Sequence, residues 1–275
     1  MGFLDRVQAA MEKNNSLLCV GLDPSPERFP ASIRTMEKPV FAFNKAIIDA
    51  TADLVCCYKP QAAYYHACGA EDQLAMTIDY IRTQYPAIPV ILDSKRGDIG
   101  STASQYAIEA FERYQADAVT VNPYMGIDTI EPFSSYADKG TVVLCRTSNP
   151  GAAAIQNLSV QQANGESAML YEVIARMCQE QWNENNNILL VVGATNPAEL
   201  KRIREITGDM TFLVPGLGTQ GGDVEATVNN GLNSQGKGII VNSSRGIIYA
   251  SGGDDFAQAA RNAAIELRDQ VNFYR

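Results

Sequence analysis

Histidine is almost missing from this chain: His66 is the only one among 275 residues. A lone histidine, here in AAYYHACG, is more often a structural hydrogen-bonding residue than a general base, so the chemistry must be sought on other side chains. The six cysteines, Cys19, Cys56, Cys57, Cys68, Cys145 and Cys178, form no C-x-x-C pair, and most fall inside apolar runs where a thiol behaves as a small buried hydrophobe. That usage fits a reducing, cytoplasmic setting. No run of Lys or Arg occurs anywhere and the formal net charge is −9, which argues against a nucleic-acid or acidic-membrane surface, since either demands clustered cations. No stretch approaches transmembrane length. The segment MGFLDRVQAAMEKNN is charged and helical in period, without the apolar core and cleavage site of a signal peptide. The triplets at Asn157 and Asn242 match the glycosylation pattern but carry little weight without secretion.

What is present is apolar sequence in short pieces. Hydrophobic residues make up 46% of the chain, enough for a large core, and the length is near the roughly 250 residues typical of one α/β barrel. Runs rich in Val, Ile and Leu, bounded by Gly, Pro, Asn or Asp, read as eight buried parallel strands. They are Leu17–Leu22, Asp53–Tyr58, Val90–Asp93, Ala118–Val121, Val142–Arg146, Ile188–Val192, Phe212–Val214 and Gly238–Val241. Helical periods lie between most of them, at Val40–Ala52, Glu71–Thr83, Thr102–Tyr114, Ser167–Trp182 and Pro197–Ile206. The alternation predicts a single (β/α)8 TIM barrel spanning residues 1–275, with an open doubly wound sheet as the alternative.

In such a barrel the active site lies at the carboxyl ends of the strands. Polar residues gather there: Asp23, Lys59, Asp93, Lys95, Asp98, Asn122, Ser148, Gln220 and Arg245. The Pro-, Gly-, Ser- and Asn-rich segments Pro24–Lys38 and Asn149–Glu166 are candidate lids, and NENNN at 183–187 reads as a solvated turn.

The seventh strand runs into PGLGTQGGD and the eighth into NSSRG. Loops at those two positions commonly hold a substrate phosphate in barrels, with backbone N–H groups at a helix start and Arg245 as a bidentate clamp. The same glycines match G-x-G-x-x-G, but positions 236–242, GKGIIVN, offer no acid for a ribose, so a nicotinamide site is disfavoured. Glycines that merely make tight turns are the plainer alternative.

In VILDSKRGDIGST, residues two apart on a strand share a face, which puts Asp93 and Lys95 together at the barrel mouth with Asp98 on the following loop. A structural ion pair would account for this segment alone. Lys59 extends it to a Lys-Asp-Lys-Asp array. Such an array suits a reaction that moves negative charge onto a carbon which must then accept a proton, with Lys95 as general acid. Asp128 and Glu131, without a second pair at ligand spacing, read as helix-start acids.

Asp93-x-Lys95-x-x-Asp98 within DSKRGDIGST resembles the signature of orotidine 5′-phosphate decarboxylases. The resemblance extends, in order, through VGLDPSP, YKPQAAYY, RTSNPGA, VPGLGTQGGD and NSSRGI, covering residues 20–247, and is greatest to the longer bacterial branch. It implies that Lys95 donates the proton, that Asp93 and Lys59 are its charged neighbours, and that Asp98 completes the array across a homodimer interface. It further implies that Asp23 and Lys59 hold the ribose, Ser148 the pyrimidine, and Pro215, Gln220, Arg245 and Gly246 the phosphate end. Thr102 would reach the neighbouring subunit's ribose. Orotidine 5′-phosphate and uridine 5′-phosphate would be substrate and product, with no metal or organic cofactor.

Two rivals remain at this point. Related barrels with Asp-x-Lys-x-x-Asp act on sugar phosphates as magnesium-dependent aldolases or decarboxylases, but they are expected to carry acidic ligands where this chain has Lys59. A non-catalytic phosphate-binding barrel would need only the end formed by the seventh and eighth strands.

Overall fold

The computed structural model describes residues 1–162, 165–217 and 222–275. Among these, the strands in chain order are β1 (Leu18–Leu22), β2 (Cys57–Pro60), β3 (Ile91–Arg96), β4 (Ala118–Val121) and β5 (Gly140–Arg146), then β6 (Ser159–Gln161), β7 (Ser167–Met169), β8 (Ile188–Val192), β9 (Phe212–Pro215) and β10 (Ile239–Ser243). Eight form one sheet in the order β2-β1-β10-β9-β8-β5-β4-β3. Every pairing in it is parallel. Parallel bridges from Tyr58 to Val90 and from Gln61 to Asp93 join its two ends. The architecture is therefore a (β/α)8 barrel. Each of β1, β2, β4, β8 and β10 is buried at every residue, because side chains fill the barrel inside while helices cover it outside. This is why these strands appear in the sequence as continuous apolar runs rather than alternating ones.

The helix Phe3–Asn14 packs at the amino-terminal rim. Its Phe3 ring occupies the space where Gly140, the first residue of β5, lacks a side chain; a Cβ there would lie 2.4 Å from the ring. Arg6 from the same helix pairs with Asp117, whose other oxygen accepts the Val90 amide at 2.8 Å. The opposite rim is left free for loops.

Helices Pro39–Thr51, Glu71–Gln84 and Pro197–Thr207 fall within a residue of their sequence-predicted limits. Three elements differ. The second strand is shifted, to Cys57–Pro60 instead of Asp53–Tyr58, because the chain is still turning at Leu54, whose amide donates to Thr51, and because Arg261 ties down the Asp53 carboxylate at 2.6 and 2.8 Å. The predicted helix 102–114 divides into an α-helix, Gly100–Ile108, and a π-turn, Glu109–Arg113. The predicted helix 167–182 begins only at Leu170, since Ser167–Met169 form β7 and pair antiparallel with β6. The 18-residue helix Phe256–Phe273 closes the chain and packs on Pro39–Thr51. No helix among the described residues is long and apolar enough to cross a membrane.

Candidate active site

Four barrel strands place the charged centre. Lys59 is the third residue of β2 and Asp93 the third of β3, so both side chains point into the carboxyl-terminal mouth. Asp93 is 6% exposed, and both oxygens of its carboxylate are engaged: Oδ2 accepts from Lys59 Nζ at 2.8 Å, while Oδ1 accepts from Lys95 Nζ at 2.6 Å and from Thr120 Oγ1 at 2.9 Å. Burial pushes the Asp93 carboxyl up, but the two ammonium groups outweigh it and hold it well below the ordinary carboxylate range. Burial would likewise strip the charge from Lys59, yet the carboxylates of Asp93 and Asp23 keep it above the ordinary lysine range. Lys59, Asp93 and Lys95 thus form a pattern of alternating charge, buried at Lys59 and Asp93 and open to the mouth at Lys95.

Lys95 reaches Asp93 by an unexpected route. A regular strand would put residues 93 and 95 on one face, but the β3–β4 register shifts between Leu92 and Arg96, and Lys95 has φ +47°. A non-glycine residue in the left-handed region costs on the order of 1–3 kcal/mol and persists only where its surroundings hold it. Here Thr120 Oγ1, from β4, accepts the amides of Ser94 at 3.0 Å and Lys95 at 2.8 Å. The Lys95 side chain is 46% exposed and faces the mouth. The sequence-level expectation that Asp93 and Lys95 meet is correct, and the cause is a bulge rather than strand alternation.

These residues line a cavity of about 750 Å³ whose wall also includes Asp23, Asn122, Ser148, Pro215 and Asn242. The pocket is deep enough for a nucleotide-sized ligand. Asp23 follows β1 at the cavity wall, and its Oδ1 is buried without a hydrogen-bond partner, an acceptor left unsatisfied by the described residues. Its loop is held by Tyr249, whose hydroxyl accepts the Ser25 amide at 2.5 Å and donates to the Asp23 carbonyl at 3.0 Å. On the far wall Gln156 accepts the Thr147 amide at 2.9 Å, and buried Arg146 pairs with Glu199 at 2.6 Å, fixing the backbone just before Ser148.

At the other end of the cavity β9 delivers Pro215, and the loop beyond it is pinched shut: the Gly222 amide donates to the Gly216 carbonyl at 3.1 Å, and Gly216 has φ +105°. Gln220 lies outside the described residues. Arg245 and Gly246 open the short helix Arg245–Ile248 after β10 and are exposed. Asp98 and Thr102 do not line the cavity of their own chain. Among the described residues no ion pair joins Asp98 to Lys59 or Lys95; its carboxylate accepts the Ile99 amide at 2.8 Å. His66 is on the last turn of the helix Ala62–Ala67, away from the cavity lining, and Asp128 and Glu131 are exposed first-turn acids. Among the described residues no group of three His, Cys, Asp or Glu side chains is placed to hold a metal.

The sequence from residue 16 to 262 matches the model of the orotidine 5′-phosphate decarboxylase / HUMPS family. The chain belongs to that family. It is 60% identical over 277 residues to an orotidine 5′-phosphate decarboxylase of Cellvibrio japonicus, with 100% of both chains covered. An orotidine 5′-phosphate decarboxylase of Dechloromonas aromatica is 58% identical, again over the whole of both chains. Among solved structures, the Leishmania donovani UMP synthase superposes with a TM-score of 0.87 at 39% identity, covering 100% of this chain and 56% of that one. The Leishmania donovani OMP decarboxylase gives 0.84 at 38% identity, with 100% and 98% covered. In this member of the family Lys59 stands on β2 and Asp93 and Lys95 on β3, at the barrel mouth. Thr120, Tyr249 and Gln156 escaped sequence reasoning. Only Thr120 left a trace, as a lone hydroxyl within the apolar run AVTV.

Proposed function

We propose that this chain is an orotidine 5′-phosphate decarboxylase, releasing carbon dioxide and forming uridine 5′-phosphate. The observation that carries the reading is the Lys59–Asp93–Lys95 array, fixed at the mouth of a barrel of this family. The substrate carboxylate, on C6 of the pyrimidine, lies against Asp93. The C6–carboxylate bond breaks, its electron pair stays on C6, and an N–H proton of Lys95 moves to that carbon; Lys95 then regains a proton from water. Fixed charges favour this because the charge that departs faces an anion and the charge that remains faces a cation. The reaction draws on no metal or organic cofactor. Asp23 and Lys59 hold the ribose hydroxyls, Ser148 the ring, and Pro215, Gln220, Arg245 and Gly246 the phosphate end.

The working unit is a homodimer in which Asp98 and Thr102 serve the neighbour's site. Supporting this, among the described residues no ion pair joins Asp98 to its own chain's lysines, and the apolar side chain of the adjoining Ile99 is 54% exposed. Five buried, unbridged cysteines support a cytoplasmic location.

Orotidine 5′-phosphate absorbance followed with purified protein, with and without EDTA, tests the activity. Conversion indifferent to EDTA and lost in Lys95→Ala is the expected result. No turnover by the unmodified protein, or EDTA-sensitive turnover of a hexulose phosphate instead, overturns the reading.

A further inference from the structure

We propose that Thr120 is a positioning residue for the decarboxylation, one that sets the proton donor and the central carboxylate relative to each other. The inference rests on the decarboxylase reading above and goes beyond it, since Thr120 belongs to none of the motifs that carry the family likeness. A hydroxyl has one proton to donate and two lone pairs to accept with. All three are used here, on the residues flanking the reaction: the proton goes to Asp93 Oδ1 at 2.9 Å, and the lone pairs take the amides of Ser94 at 3.0 Å and Lys95 at 2.8 Å.

Two consequences follow from that inventory. The amides of residues 94 and 95 are where the β3–β4 register slips, so no backbone carbonyl of β4 is in step to receive them. Thr120 Oγ1 stands in for that carbonyl and holds Lys95 at φ +47°, a conformation a lysine rarely adopts. On the carboxylate side, the donated hydrogen bond occupies one lone pair of Asp93 Oδ1. Lys95 Nζ, at 2.6 Å from the same oxygen, is thereby confined to the other. One buried oxygen atom therefore fixes both ends of the lysine side chain, its backbone directly and its ammonium through Asp93. Thr120 is itself only 1% exposed, at the floor of the cavity.

The role belongs to the hydroxyl and not to the size of the side chain, which gives the test. Thr120→Ser keeps all three hydrogen bonds, whereas Thr120→Val keeps the shape and loses them. With orotidine 5′-phosphate as substrate, Thr120→Val is expected to lose kcat by about 100-fold, the scale of a misplacement of about 1 Å at a reacting group. Its KM and its Kd for uridine 5′-phosphate should stay within about threefold, and Thr120→Ser should restore kcat to within about threefold of the unmodified rate. Thr120→Ala, which removes the same hydroxyl without the branched bulk, takes the place of the valine variant if that protein fails to fold. A folded variant without the hydroxyl that keeps the unmodified kcat overturns the proposal. So does a serine variant that falls as far as the valine one. The unmodified protein assayed alongside separates the two claims: if it is inert the decarboxylase reading fails and this inference with it, whereas an active protein matched by Thr120→Val removes only the role of Thr120.

Discussion

The carboxylate of Asp93 is buried and accepts three protein hydrogen bonds, and two of the donors are charged. Removing one partner from a buried ionic cluster leaves the others uncompensated, typically at about 3–5 kcal/mol. Asp93→Asn, which strands the buried Lys59 ammonium, is therefore expected to lower the unfolding free energy by about that amount at pH 7, read by urea titration. The pH dependence carries a definite sign. The Asp93 carboxyl is held below its unfolded value, so its contribution to stability is complete above about pH 4 and is lost as the pH falls through the folded value. Lys59 is held above its own, so its contribution persists up to about pH 10 and is lost only as the pH rises beyond that. Between those limits Asp93 and Lys59 both stay charged. The loss of stability on acidification below pH 4 should accordingly be shallower in Asp93→Asn than in the unmodified chain; an unchanged slope would mean that Asp93 is not held low.

At the scale of elements, the loop after β9 shows how strands deliver a site. Its ends, Gly216 and Gly222, meet so closely that a Cβ at residue 222 would lie 2.7 Å from the Gly216 carbonyl oxygen and 2.8 Å from Ala194 Cβ. Gly222→Ala must open this pinch at a cost of about 1–3 kcal/mol. If the loop serves the phosphate end as proposed, steady-state kinetics should show KM raised about tenfold or more with kcat changed less; an equal fall in kcat with KM unaltered would speak against that placement. The strands themselves were legible because burial on both faces writes them as apolar runs: β4 and β8 coincide with the runs at 118–121 and 188–192. Burial does not distinguish a strand from a buried turn, and Leu54, Val55 and Cys56 are buried ahead of the strand, which is why β2 was read too early. The β6–β7 hairpin was missed for a different cause: its strands are short and mostly exposed, so neither carries an apolar pattern. In the site, Lys59, Asp93 and Lys95 could be read because charge at the end of an apolar run is conspicuous. Tyr249 and Gln156 act through backbone groups distant in sequence, and such contacts leave no local pattern.

For the molecule as a whole, the barrel supplies the pocket while one of the charges assigned to the array points elsewhere. Asp98 begins the stretch that leads into the helix Gly100–Ile108, which also carries Thr102, and an assembly of two chains would bring both to a neighbour. Lys95→Ala and Asp98→Ala chains are each expected to be inactive alone. Mixed in equal amounts and allowed to exchange, half of the dimers become hybrid, and each hybrid has one of its two sites intact. About a quarter of the unmodified activity should return. Exchange demonstrated by differently tagged subunits without any recovery would rule out sharing across the interface. The Leishmania donovani UMP synthase, of which this chain covers only 56%, shows that the same barrel is also found as part of a longer polypeptide.

The left-handed backbone at Lys95 bears on why a lysine stands there. Glycine, and to a lesser degree asparagine, occupies φ near +47° with less strain than lysine does. Either residue at position 95 would relieve that backbone strain but would remove the ammonium that pairs with Asp93 Oδ1 at 2.6 Å. Backbone geometry alone disfavours lysine at this bulge, so what holds it there is the chemistry of its ammonium: the ion pair with Asp93 and the proton it is proposed to deliver.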